Sequence, residues 1–261
     1  MFFSTSPEKK LKKTVDWLRS LKINLPANVK DIHNITRIDL SFKGISNIPE
    51  EIECLENLTD LNLSYNGLKD IPKQMKHMTG IRSLNLGYNR FSAMPSTVFQ
   101  IPNLEILNME ANLIKTIPTQ ISNLSNLRSL NLFANQISEL PNEFCSLTNI
   151  WRLNMALNQL SKLPDCFANL TNIVELELWL NKFELIPDVV AKLPKLSDLY
   201  NSFDTDKLNK ALINAVLGNN IGLAEKLIFL EPMLITNGKI MVRNYLQLLF
   251  SKPEVQRWLS F

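Results

Sequence analysis

Apolar residues return along this chain on a 23-residue ruler. One turn of it reads Leu58, Leu61, Leu63, Leu68, Ile71, Met75 and Met78. The same frame starts again at Ile35, Leu58, Ile81, Leu104, Leu127, Ile150, Ile173 and Leu196. The first, fourth and sixth positions alternate, as Leu127, Leu130 and Leu132 do. Period two predicts a short strand with one buried face. The next apolar positions, such as Ile137, Leu140, Phe144 and Leu147, are more widely spaced. They suit an extended run and a helical or 3₁₀ turn that brings the chain back. Eight prolines mark that return: Pro26, Pro49, Pro72, Pro95, Pro118, Pro141, Pro164 and Pro187. Proline fixes its own φ and holds the preceding residue extended, so each apolar-proline pair stiffens the start of the return.

Asn66, Asn89, Asn112, Asn135, Asn158 and Asn181 occupy the ninth position. There the chain leaves the strand and its backbone groups lose ladder partners. An amide side chain both donates and accepts, so it can satisfy them. The unit L-x-x-L-x-L-x-x-N-x-L resembles the leucine-rich repeat family over about two thirds of the chain. The resemblance implies an α/β solenoid, a horseshoe with a parallel concave sheet and a stacked asparagine ladder. One repeat cannot bury its apolar face alone; stacked neighbours bury it for each other.

The ends depart from the frame. Residues 1–34 read as an N-terminal helical cap followed by a truncated first unit, with Leu25-Pro26, Val29 and Ile32 in convex positions. Ser6-Pro7-Glu8 has the form of a helix start, with serine as N-cap. Leu11, Thr14, Val15, Trp17, Leu18 and Leu21 then share one helical side, and Lys9, Lys12, Lys13, Asp16 and Arg19 the other. That stripe suits a cap on the solenoid, and a membrane surface is the alternative. Residues 35–204 carry eight repeat units, the last degenerate: Asn201 and Asp204 replace the expected leucine and asparagine. Residues 205–261 turn to helical periodicity and read as a C-terminal helical cap or small helical domain.

Composition narrows the function. The formal charge is +3, but the first 34 residues hold seven basic and three acidic side chains. The rest holds 21 basic and 22 acidic ones. That is no phosphate-tracking stripe, so nucleic acid is not the expected partner. No apolar run reaches membrane-spanning length, and the first residues lack a secretory h-region. Cys54, Cys145 and Cys166 form no C-x-x-C pair, and the cysteine-rich caps usual in extracellular members of the family are missing. A reducing, cytoplasmic compartment is the inference. The two histidines, His33 and His77, leave no Cys–His pair, Ser–His–Asp set or histidine metal cluster in the C-terminal region. No cofactor and no catalysis are expected.

Function is then expected on the concave face, at strand positions pointing away from the core. The seventh position runs Ser41, Ser64, Gly87, Glu110, Phe133, Ala156, Trp179. With strands about 4.8 Å apart, Phe133 and Trp179 should stand roughly 10 Å from each other, flanking Ala156 as an aromatic-walled notch. Leu157 and Leu180 lie beside it, with Trp151, Arg152, Glu175 and Glu177 near. Exposed Trp, Phe and Arg with a charged rim are the material of an interaction hot spot. C-terminal helices folding back over Trp179 are the alternative. Phe42, Tyr65 and Tyr88 form a second candidate cluster at the eighth position, either a binding edge or a mutual stack. The fifth-position row, Asp39, Asn62, Asn85, Asn108, Asn131, Asn154 and Glu177, reads as a solvated polar stripe or part of the surface.

The expected activity is protein binding by a monomeric, non-catalytic module. The repeats resemble those of intracellular Ras-binding scaffolds and of bacterial effectors. Small size, helical flanks and richness in Asn, Lys and Ile resemble the second more closely: an effector of an intracellular pathogen, delivered into the host cytosol to act on host proteins. A scaffold binding a small GTPase is one alternative. An unrecognised enzymatic activity in residues 205–261 is the other.

Overall fold

A computed structural model describes residues 6–183 and 187–200. The expected C-terminal helices, and the end of the last repeat at 204, lie outside those residues. Within them the alternating positions form eight strands of three residues. These are β1 (Arg37–Asp39), β2 (Asp60–Asn62), β3 (Ser83–Asn85), β4 (Ile106–Asn108), β5 (Ser129–Asn131), β6 (Arg152–Asn154), β7 (Glu175–Glu177) and β8 (Asp198–Tyr200). They pair in parallel and in chain order to make one open sheet. Each residue pairs with the one 23 places on, so Ile38, Leu61, Leu84, Leu107, Leu130, Leu153 and Leu176 form one buried row. The constant period keeps every strand in the same register.

The return is a 3₁₀ turn, which settles the choice left open by the spacing. Glu50–Cys54, Lys73–His77, Thr119–Asn123, Asn142–Ser146 and Asp165–Asn169 each begin directly after a proline. Those prolines hold φ between −76° and −64° with extended ψ. Ile52, Met75, Ile121, Phe144 and Phe167 are carried inward by the turns and buried. Burial of such side chains stabilises by about 1.5–3 kcal/mol each.

Helix α1 (Pro7–Ser20) lies on the first 3₁₀ turn. Leu11, Thr14, Val15 and Leu18 are buried there. The Thr14 hydroxyl donates to the Glu51 carbonyl at 2.7 Å, and Lys13 and Lys10 pair with Glu51 and Glu53 at 2.7 Å each. The Lys13 hydrogen bond holds the Glu51 carboxyl below its ordinary value. The apolar stripe is thus occupied by the protein itself. Pro7 opens the helix and Glu8 sits in its first turn, but Ser6 makes no side-chain capping bond. A short helix, α2 (Val29–His33), carries Ile32 into the core.

The asparagine ladder is present in full. Asn135 donates its amide to the carbonyls of Met109, Leu132 and Phe133 and accepts the Ile114 N–H at 3.0 Å. Asn66, Asn89, Asn112, Asn158 and Asn181 repeat the pattern, each binding its own turn and the preceding unit. Every rung therefore ties two repeats together.

The cysteines differ from expectation. Cys145 and Cys166 are joined by a disulfide, with Cα atoms 5.8 Å apart, and Cys54 is free and half-buried. Residues 21 apart sit side by side in adjacent units, so unlike repeat positions can still meet. The inference of a reducing compartment rested on the lack of a C-x-x-C pair and of cysteine-rich caps, and this disulfide weighs against it.

Candidate binding surface

Two edges bound the strand row. At the trailing edge, where the chain leaves each strand, the eighth-position residues Phe42, Tyr65, Tyr88, Ala111, Ala134, Leu157 and Leu180 all have φ between 50° and 56°. Left-handed backbone costs a non-glycine residue about 1–2 kcal/mol. The fifth-position residues help to impose it. Asn62, Asn85, Asn108, Asn131 and Asn154 each accept, through Oδ1, the N–H two residues on, at 2.9–3.1 Å. Asp39 does the same at 2.8 Å. This row is turn machinery as well as a polar stripe.

Phe42, Tyr65 and Tyr88 stack along that edge with ring centroids 4.1 Å apart at each step. Mutual packing is the arrangement realised. Tyr88 is buried, Tyr65 half-buried, and Phe42 57% exposed at the end of the stack. Burial pushes the Tyr65 phenol up to about 12.

The notch expected between Phe133 and Trp179 is not open. Their rings meet at 5.6 Å between centroids, tilted by 47°, above a buried Ala156. Phe133 is 5% and Trp179 4% exposed. The expectation counted strand spacing and left out the reach of the side chains: with only a methyl between them, two large rings close the gap and shed water. The Trp179 indole donates to Glu177 Oε2 at 3.3 Å, and Glu177 is buried. Glu110 accepts from Asn108 at 3.2 Å and Asn131 at 2.8 Å. Burial pushes the Glu110 carboxyl up and Glu177 adds to the rise, while the two amides oppose it. Leu157 and Leu180 are half-buried. These residues form a packed wall, not exposed anchors.

The leading edge is different. Trp151, at the second position, is 41% exposed, and Arg152 pairs with Glu175 at 3.0 Å beside it. Arg82 and Arg128 flank Glu105 at 2.9 and 3.5 Å. These second-position side chains and a row of asparagines line a groove of about 520 Å³. Asn103, Asn126, Asn149 and Asn172 each donate to a carbonyl of the preceding unit at 2.8–3.0 Å and form its wall. A smaller hollow of about 200 Å³ opens at Ser129, between Ile106 and Arg152. Ile106 is 48% exposed. Ile106, Arg82 and Glu105 were not among the expected binding residues, and Arg128, at the second position on the lateral rim, was expected to contribute little. The signal was available: Ile106 is the one aliphatic side chain in a third-position column of Asp60, Ser83, Ser129, Arg152 and Glu175.

Among the described residues no group of three His, Cys, Asp or Glu side chains is placed to hold a metal ion. No described helix is long and apolar enough to cross a membrane.

Among curated proteins no significant sequence match is found. Solved structures are similar. A leucine-rich repeat protein of Leptospira interrogans aligns at 23% identity with TM-score 0.58, over 71% of this chain and 60% of that one, and shows the fold alone. Internalin C2 of Listeria monocytogenes aligns at 27% identity with TM-score 0.60, covering 74% of this chain and 85% of that one. The plant peptide hormone receptor RGFR1, solved in complex with RGF2, aligns at 30% identity with TM-score 0.51 over 60% of this chain and 27% of the receptor. Two family models match: a leucine-rich repeat over residues 33–91, and a leucine-rich repeat region over residues 96–226, half of the chain. With the frame, the parallel strand row and the asparagine ladder in register along the described residues of both spans, the chain belongs to the leucine-rich repeat family.

Proposed function

We propose that this protein-interaction module holds a protein partner on its concave face, centred on Trp151 and the Arg152–Glu175 pair, as a non-catalytic bacterial effector acting on host proteins. The observation that carries the site is an exposed tryptophan, 41% accessible, beside the Arg152–Glu175 ion pair. Aromatic and arginine side chains dominate interface energetics, and a charged rim sets specificity. Phe133 and Trp179 serve this surface as a rigid wall. The effector reading is supported by the likeness to internalin C2, a bacterial protein of similar extent. Delivery to the host cytosol is the location it requires.

The test is affinity capture from host-cell lysate with the wild-type chain and with Trp151→Ala plus Arg152→Ala. Loss of a hot-spot anchor commonly costs 2 kcal/mol or more, about thirtyfold in affinity. A host protein that binds wild type and falls by that factor for the variant supports the reading. Equal binding by the variant removes the site. Capture from bacterial lysate alone removes the effector role.

A further inference from the structure

The groove on the leading edge has a length, a charge and a floor that together select a ligand. From Arg82 to Val174 it crosses four strand spacings, about 19 Å, which is the reach of about six extended residues. Its exposed charges are Arg82, Arg128 and Lys195 against one carboxylate, Glu105. That carboxylate is shared by two guanidinium groups, the second at 3.5 Å. Each guanidinium carries five N–H donors in a planar fork, so a single shared carboxylate leaves most of them facing water. Both arginine side chains are mostly exposed. Lys195 contacts the Asn172 amide oxygen at 2.7 Å, a neutral partner that leaves its charge uncompensated. The asparagine wall is already committed through its amide nitrogens to the preceding repeat. Selectivity therefore falls to the arginines, the lysine and the open face of Trp151.

We propose that this groove receives an extended acidic segment of the protein partner, its carboxylates on Arg82, Arg128 and Lys195 and an apolar side chain on Trp151. The proposal rests on the concave-face reading above and names the chemistry of what binds there. Arginine prefers carboxylates because its fork matches two oxygens at once. Electrostatic steering of this kind raises the association rate and weakens with salt.

The experiment uses the full chain and a short synthetic peptide of alternating glutamate and leucine, with a glutamine-for-glutamate peptide and a uridine oligonucleotide alongside. Binding is read by fluorescence anisotropy and by the NMR signal of the Trp151 indole N–H. The glutamate peptide is expected to move that signal and to bind more weakly as salt is raised. Arg128→Glu should lower its affinity by about tenfold, with circular dichroism unchanged. Arg128→Gln should lower it less, and serves if the reversal fails to fold. Arg90→Glu, on the opposite edge, should leave it unchanged. The proposal is overturned if the glutamine peptide binds equally, if the oligonucleotide binds the same residues more tightly, or if the indole signal stays in place. If the glutamate peptide binds but a captured partner ignores both Trp151→Ala and Arg128→Glu, the concave-face reading fails and the groove stands. If the partner needs Trp151, ignores Arg128→Glu, and the peptide does not bind, the groove fails and the concave-face reading stands.

Discussion

The trailing and leading edges of the strand row are built by the same repeat, yet one is closed and the other open. On the trailing edge nearly every polar group has a partner within the scaffold: the ladder asparagines, the fifth-position amides, Glu110 and the Trp179 indole. Its rings stack on one another or meet across Ala156. On the leading edge Trp151, Ile106 and the arginines extend into solvent. The difference teaches where the repeat needs its residues. Leaving the strand demands a left-handed residue and a caged turn, so chemistry there is consumed by the fold. The chain enters a strand on extended backbone, which makes no such demand and leaves side chains available.

The most damaging change should strike the closed edge. Asn135→Leu removes the acceptor of the Ile114 N–H and the donor to three carbonyls inside the core. An unmet buried group costs about 1–3 kcal/mol, and more than one is stranded here. Denaturant unfolding should show a loss at or above the top of that range; an unchanged midpoint would make the ladder dispensable.

The next change contrasts the edges directly. Phe133→Ala deletes a buried ring packed on Trp179, and such deletions cost about 3 kcal/mol or more. Trp151→Ala, on the open edge, should shift stability by no more than about 0.5 kcal/mol while weakening partner binding. Thermal melts of the two variants side by side check this. If Trp151→Ala destabilises as much as Phe133→Ala, the open edge is structural after all.

One change should bring a gain. Ala134 sits at φ 55°, where glycine adopts the conformation without the Cβ penalty. Ala134→Gly should raise stability by up to about 1 kcal/mol, read as a higher unfolding midpoint. A loss would mean that the buried methyl matters more than the backbone.

Much of this was legible because repetition averages out local ambiguity. Leu61 alone fits a strand or a helix; its counterparts every 23 residues make the strand row and its parallel register inescapable. Asn135 was legible for the same reason, since only a recurring backbone need explains a recurring amide. Helix α1 followed from its stripe and from the open face of a first unit. Phe133 and Trp179 were expected as the exposed walls of a notch and are instead buried against each other. Flat strand spacing holds for Cα atoms, whereas ring contact depends on side-chain reach over a small neighbour. Cys145 and Cys166 were read by repeat position, although a separation of 21 already brings backbone and amide together at every rung, as with Ile114 and Asn135.

The sequence by itself determined the repeat length, the strand order and the buried frame, because one-dimensional stacking lets each unit answer only to its neighbours. The tertiary structure decided which outward-pointing side chains remain available. Exposure depends on what the adjacent repeats place alongside: a methyl lets Phe133 and Trp179 close on each other, and an open, asparagine-walled groove leaves Trp151 and its arginines facing water.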